Sequence, residues 1–131
     1  MIGLDTNVLV RHFAQDDPKQ SPIASAFIET LTVDNLGLIS LVVLVEFVWV
    51  MQARFEATRE ELIDVLQVIL TDEHLQVQQA SAAWLAFDHF DLTPNIDFPD
   101  ALIAALGVEL GATHTVTFDK KAARLEGMRL L

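Results

Sequence analysis

The chain alternates between short runs of strand-forming residues and longer segments in which apolar residues recur at helical spacing. The short runs predict five strands, over residues 2–5, 36–40, 74–78, 113–118 and 128–130. The longer segments predict helices, of which the main ones cover residues 41–54, 58–70, 81–90 and 97–110. Strands that alternate with helices favour an α/β fold, here an α/β/α sandwich with a mostly parallel central sheet.

Capping residues mark several of the predicted helix boundaries. Ser40 is a predicted N-cap, and Thr58 with Glu61 forms a predicted capping box. An earlier helix begins near Pro18 or Pro22, and its predicted apolar stripe consists of Ile23, Phe27 and Leu31.

Length and composition predict one folded domain over residues 1–131. The hydrophobic fraction of 52% excludes a disordered chain, and the lack of cysteine excludes disulfides and Cys-bound metals. The first residues do not resemble a signal peptide, so a cytoplasmic location is expected. The apolar segment 36–51 is too short for a membrane helix and contains Glu46, so it is predicted to be a buried core segment. A buried Glu46 would need a partner, a proton or a cation.

The charge of the chain is strongly negative. A formal net charge of −11 argues against a nonspecific nucleic-acid coat, because phosphate would be repelled at long range. Four of the eight lysines and arginines lie in the last twelve positions, where they could contact phosphate: Lys120, Lys121, Arg124 and Arg129.

Four carboxylates occupy unusual places in the predicted fold. Asp5 and Asp119 follow strands, Glu46 lies inside an apolar helix, and Asp100 lies in the first turn of a helix. Ligands of open parallel sheets collect at the carboxyl ends of the strands, so all four could face one cleft. Gathered carboxylates favour a hard divalent ion such as Mg²⁺ or Mn²⁺, which can activate water and offset phosphate charge. Each aspartate could instead be a turn or capping residue.

Four segments carry a resemblance to a known family: MIGLDTNVLV at residues 1–10, VLVEF at 43–47, DFPDALIAA at 97–105 and VTFDKKAARL at 116–125. In this order they resemble the PIN-domain family, and within it the VapC-type toxins of toxin–antitoxin pairs. The resemblance implies an endoribonuclease that cleaves RNA with Mg²⁺ or Mn²⁺, forms a homodimer and is inhibited by a cognate antitoxin protein.

The resemblance also assigns roles to particular residues. It implies that the acidic quartet consists of Asp5, Glu46, Asp100 and Asp119, all serving as metal ligands and catalytic residues. Asn7 and Thr117 match supporting polar groups, and Asp97 matches an auxiliary acid that could equally be a helix cap. The segment departs from the family pattern at Asn95, Ile96 and Pro99, where small residues are usual.

Other signals in the sequence are weaker. The four histidines lack metal-binding spacing, and no phosphate-binding glycine loop or serine-hydrolase motif is present. Trp49 and Trp84 lie on apolar helical faces, which favours packing in a core or an interface over base stacking. The alternatives to a toxin are a noncatalytic PIN-like binding module and a housekeeping nuclease, because a fold does not fix a function.

Overall fold

The structure, a computed structural model, describes all residues from 1 to 131. Helices and parallel strands alternate along the chain, so the predicted α/β fold class is confirmed. In chain order the elements are β1 (Ile2–Gly3), α1 (Thr6–Ala14), α2 (Gln20–Glu29), β2 (Gly37–Ile39), α3 (Leu41–Phe55), α4 (Arg59–Thr71), β3 (Leu75–Val77), α5 (Ala80–Leu92), α6 (Phe98–Glu109), β4 (Thr115–Thr117), a 3₁₀-helix (Ala122–Arg124) and β5 (Met128–Leu130).

The residues group into two compact units, residues 1–78 and residues 79–131, called here the N-terminal and the C-terminal unit. The organisation of the whole chain as one domain stays a prediction. No helix in the structure has the length and apolar character needed to span a membrane.

The N-terminal unit contains a three-stranded parallel sheet in the order β1-β2-β3. Gly37 in β2 lies opposite Ile2 on one side and Leu75 on the other. Gly37 is buried, and a Cβ atom built on it would lie 2.8 Å from Leu31 Cδ1 and 3.0 Å from Leu4 Cδ1. A larger residue here would have to displace leucine side chains, because they fill the space beside the strand.

The central helix of this unit, α3, begins where the sequence predicts. The Ser40 side chain accepts a hydrogen bond from the backbone N–H of Val43 at 3.2 Å. Leu44, Phe47 and Val48 then recur at helical spacing and are fully buried. The predicted capping box of Thr58 and Glu61 is present at the start of α4 and is also confirmed.

The predicted apolar stripe of α2 is wrong. Ile23 and Phe27 are 70% and 37% exposed, and Leu31, although buried, lies beyond the end of the helix. The buried residues of α2 are Ser21 and Ala24, whose small side chains let the helix lie against α1. Small residues carry little hydropathy signal, so a search for large apolar residues selects the wrong face.

In the C-terminal unit, α5 packs against α6. Alanines recur along both helices at buried positions: Ala82, Ala83, Ala86, Ala101, Ala104 and Ala105. Helix α6 stops at Gly111 as predicted, where φ is +86°. The strands β4 and β5 pair in parallel. Helix α5 extends through Leu92, so the predicted loop over residues 91–96 begins two residues later than expected.

Replacing Gly37 by alanine should lower the free energy of unfolding by about 1–3 kcal/mol, the usual cost of overpacking a core. The added methyl would meet three leucine side chains at once. Gly3→Ala in the paired strand β1 is the matched control, because a methyl group added there would meet nothing within 4 Å. Urea unfolding measures both variants, and equal stabilities would contradict the packing described here.

Candidate active site

Asp5 connects β1 to α1 and serves as the N-cap of that helix. Its Oδ1 accepts a hydrogen bond from the backbone N–H of Thr6 at 2.8 Å. The residue is exposed, and its Oδ2 has no protein partner. Asp5 is therefore a capping residue, as the alternative interpretation of the sequence expected, but capping uses only one of its two carboxylate oxygens.

Glu46 lies on α3 and is held by a residue that directly follows Asp5. The hydroxyl of Thr6 donates a hydrogen bond to Glu46 Oε2 at 2.9 Å. Thr6 is itself buried, with 6% of its surface exposed, so its hydroxyl needs such an acceptor. Asp5 and Glu46 are thus connected through one threonine within the N-terminal unit.

The prediction that Glu46 is buried in the core is wrong. Its side chain is exposed, although its sequence neighbours Phe47 and Val48 are fully buried. A helix turns by about 100° per residue, so adjacent positions can face the core and the solvent. The carboxylate therefore does not need a cation or a proton to be stable there.

Asp119 follows β4 and is fixed by the loop it begins. Its backbone N–H donates to Thr117 Oγ1 at 3.0 Å, so Thr117 supports Asp119 through the main chain. Its Oδ1 accepts hydrogen bonds from the backbone N–H groups of Lys121 and Ala122, at 2.8 and 3.3 Å. Asp119 thus caps the following turn with one oxygen and keeps Oδ2 free, as Asp5 does.

Asp97 and Asp100 lie at the start of α6. Asp97 occupies the N-cap position, but its side chain accepts no capping hydrogen bond. Asp100 lies in the first turn and is partly buried. A purely structural capping role therefore does not account for the Asp97 carboxylate.

The three aspartates of the C-terminal unit influence one another electrostatically. Burial raises the pKa of Asp100, and the negative charges of Asp119 and Asp97 raise it further. The three carboxylates therefore lie near enough to repel, although no group of three His, Cys, Asp or Glu side chains in the structure is arranged to hold a metal ion.

Sequence reasoning missed Thr6 and gave Asn7 a role that the hydrogen bonds do not reveal. Asn7 is exposed and its side chain has no hydrogen bond within the protein. It borders a groove of about 470 Å³ between α1 and α2, whose lining includes Arg11, Ile23 and Phe27 but none of the quartet. The signal for Thr6 was its position at the start of the helix that follows β1, where a buried hydroxyl needs a partner.

A family model for the PIN domain matches residues 2–128, nearly the whole chain. The chain belongs to the PIN domain family. PIN domains are generally metal-dependent nucleases, so the coarse assignment to a nuclease fold follows from this match. No curated protein matches the chain. The assignment of the four site residues of this PIN domain stays a prediction.

The chemistry of the predicted residues fits the divalent ion that PIN domains typically use. All the donors are carboxylate oxygens, the type that Mg²⁺ and Mn²⁺ prefer. Asp5, Glu46 and Asp119 each have one oxygen fixed by the protein and one without a protein partner. Burial and, to a smaller extent, the negative charges of Asp119 and Asp97 raise the pKa of Asp100, and a bound cation would relieve the repulsion between these carboxylates.

Asp119→Asn should lower the pKa of Asp100 in the metal-free protein without returning it to the ordinary value. The substitution removes one repelling charge, whereas burial, the largest cause, remains. Asparagine can still accept the capping hydrogen bonds, so the loop should be retained. An NMR titration of the Asp100 carboxyl in EDTA measures the change. Asp88→Asn, an exposed aspartate in the same unit, is the control, and equal effects of both variants would contradict the proximity inferred here.

Proposed function

We propose that this PIN domain is an endoribonuclease that hydrolyses RNA phosphodiesters with Mg²⁺ or Mn²⁺. The observation that carries the proposal is the combination of the family match with carboxylates that are fixed through one oxygen and free at the other. A carboxylate held in this way is oriented in advance, so it can bind a ligand without first losing conformational freedom.

The proposed metal ligands are Asp5, Glu46, Asp100 and Asp119, with Asp97 as an auxiliary acid. A divalent ion bound by such a set lowers the pKa of water and offsets negative charge on phosphate oxygens. Thr6 positions Glu46 through its hydroxyl, and Thr117 positions Asp119 through the backbone. The proposed role of these two threonines is to orient metal ligands.

RNA is the proposed substrate because the four motifs resemble those of VapC-type toxins. The net charge of −11 opposes binding of any polyanion, so contacts to phosphate must come from the metal and from a few cations. Lys120 and Lys121 are exposed and directly follow Asp119 in the chain. They are the proposed cationic contacts to the RNA backbone.

The toxin role is a proposal of the same kind, and it includes a homodimer and a cognate antitoxin in the cytoplasm. The acidic charge and the exposed Ile23 and Phe27 beside the α1–α2 groove support a partner with basic and apolar residues. An arginine of that partner could replace the charge of the metal at the quartet. Light scattering tests the dimer, and co-purification with the product of the adjacent upstream gene tests the antitoxin.

The decisive assay for the nuclease incubates defined RNAs with the protein in Mg²⁺, Mn²⁺ or EDTA and maps the ends produced. Cleavage should require the metal. It should fall roughly 100-fold or more in Asp5→Asn and Asp119→Asn, because replacing residues that merely orient metal ligands already lowers metal affinity or activity about 10- to 100-fold. The loss of cleavage in Thr6→Val should lie within that smaller range. Asparagine keeps both capping roles, so loss of folding should not account for the effect.

Two exposed acids outside the proposed site provide matched controls, Asp34→Asn in the N-terminal unit and Asp88→Asn in the C-terminal unit. Both should retain full cleavage. Cleavage that persists in EDTA, or that falls equally in control and site variants, would refute the proposed mechanism. If the protein binds Mn²⁺ but cuts no RNA in a broad transcript pool, a noncatalytic binding module is the better account.

A further inference from the structure

One face of α3 is open to solvent although the helix is almost entirely apolar in sequence. Val42, Glu46, Trp49 and Ala53 are all exposed. At 100° per residue these four positions fall within about 60° of one another around the helix. They lie opposite the three fully buried residues of this helix, Leu44, Phe47 and Val48. The exposed face is therefore a continuous strip with one carboxylate between apolar side chains.

Trp49 leaves a large apolar ring in water on this face. Its side chain is 64% exposed, and it makes no contact with another aromatic ring. Trp84, the other tryptophan, instead packs its ring edge-on against Phe87 with centroids 5.7 Å apart. An exposed indole forgoes the stabilisation that burial of an aromatic ring normally gives and keeps its flat surface available for a ligand.

The position of Trp49 relative to Glu46 is set by the helix. The two residues are three positions apart, which gives a rise of about 4.5 Å along the axis and a separation of about 60° around it. Glu46 is further fixed by the Thr6 hydroxyl at 2.9 Å. An aromatic surface thus lies within one helical turn of an oriented carboxylate.

We propose that Trp49 stacks on an unpaired base of the RNA, beside the phosphate at which Glu46 acts. The inference rests on the proposed nuclease function, because it takes Glu46 to be near the phosphate. A base is joined to its phosphate through one sugar, so a ring one turn from the carboxylate is within reach of the adjacent base. Trp49 is then a binding residue that selects single-stranded or looped RNA, since a base in a duplex has both faces covered.

A stacked base explains this face better than a second copy of the chain does. A protein interface over Val42 and Trp49 would enclose the Glu46 carboxylate between them, and burying an uncompensated charge is expensive. Stacking on RNA leaves that carboxylate free for the metal. Stacking also supplies affinity that does not depend on charge, which matters for a protein with a net charge of −11.

The first test is the kinetics of cleavage of a single-stranded RNA by tryptophan variants. Trp49→Ala should raise KM roughly 5- to 100-fold, the usual loss for one stacked base, and change kcat much less. Trp49→Phe should restore most of the affinity because it keeps an aromatic face. Val42→Ala on the same face is the control and should leave KM unchanged. With an RNA that is abasic at the stacked position, Trp49→Ala and wild type should have the same KM.

The second test needs no Trp49 substitution and no cleavage. In Trp84→Phe protein, Trp49 is the only tryptophan, so its fluorescence reports directly on stacking. An oligoadenylate of about 12 nucleotides, long enough to fill a single-strand site, should quench it in the presence of Ca²⁺, which also binds carboxylate oxygens. An abasic oligomer of equal length should not.

The outcomes separate this inference from the proposed function. Cleavage with an unchanged KM in Trp49→Ala and no quenching overturns the stacking role alone. If the oligoadenylate quenches Trp49 but no RNA is cleaved in Mg²⁺ or Mn²⁺, the nuclease proposal is overturned and the stacking role is supported. If there is neither quenching nor cleavage, the nuclease proposal and the stacking role are both overturned. A dimer that hides Trp49 from acrylamide and dissociates in Trp49→Ala would assign this face to a second copy and overturn the inference.

Discussion

Parallel strand pairing is the constraint on which the arrangement of this protein depends. Two parallel strands cannot be joined by a tight turn, so the chain must leave the end of one strand and cross over, usually through a helix. Helices begin with unpaired N–H groups that need acceptors. Asp5, Ser40 and Asp119 follow β1, β2 and β4 and accept such hydrogen bonds. The fold therefore favours oxygen-bearing side chains after its strands, and two of these three are carboxylates whose second oxygen has no protein partner.

Local hydrogen bonding and periodicity were the features that the sequence made predictable. The alternation of strands and helices, the Ser40 cap, the Thr58 capping box and the stop at Gly111 each depend on residues close together in the chain. They follow from the preferences of those residues alone. The same holds for the placement of Asp5 and Asp119, which lie two positions after the last residues of β1 and β4.

The orientation of a helix face was not predictable in the same way, because it depends on which neighbours the helix meets. Glu46 was expected in the core, yet it faces solvent since Phe47 and Val48 take the buried positions. In α2 the small Ser21 and Ala24 are buried in place of Ile23. Thr6 was overlooked for a related reason: its partner Glu46 lies 40 positions away. Hydropathy along the chain cannot report a contact at that separation.

The central proposal is that Asp5 and Asp119 are ligands of a divalent ion, and Mn²⁺ calorimetry tests it most directly. The measurement compares wild type, Asp5→Asn, Asp119→Asn and the double variant, with Asp34→Asn and Asp88→Asn as controls. The account predicts that each site variant weakens Mn²⁺ binding, because each removes a carboxylate oxygen of the kind that the ion prefers, and that the two controls leave binding unchanged. Unchanged binding in the double variant, or loss in only one of the two single variants, would contradict it.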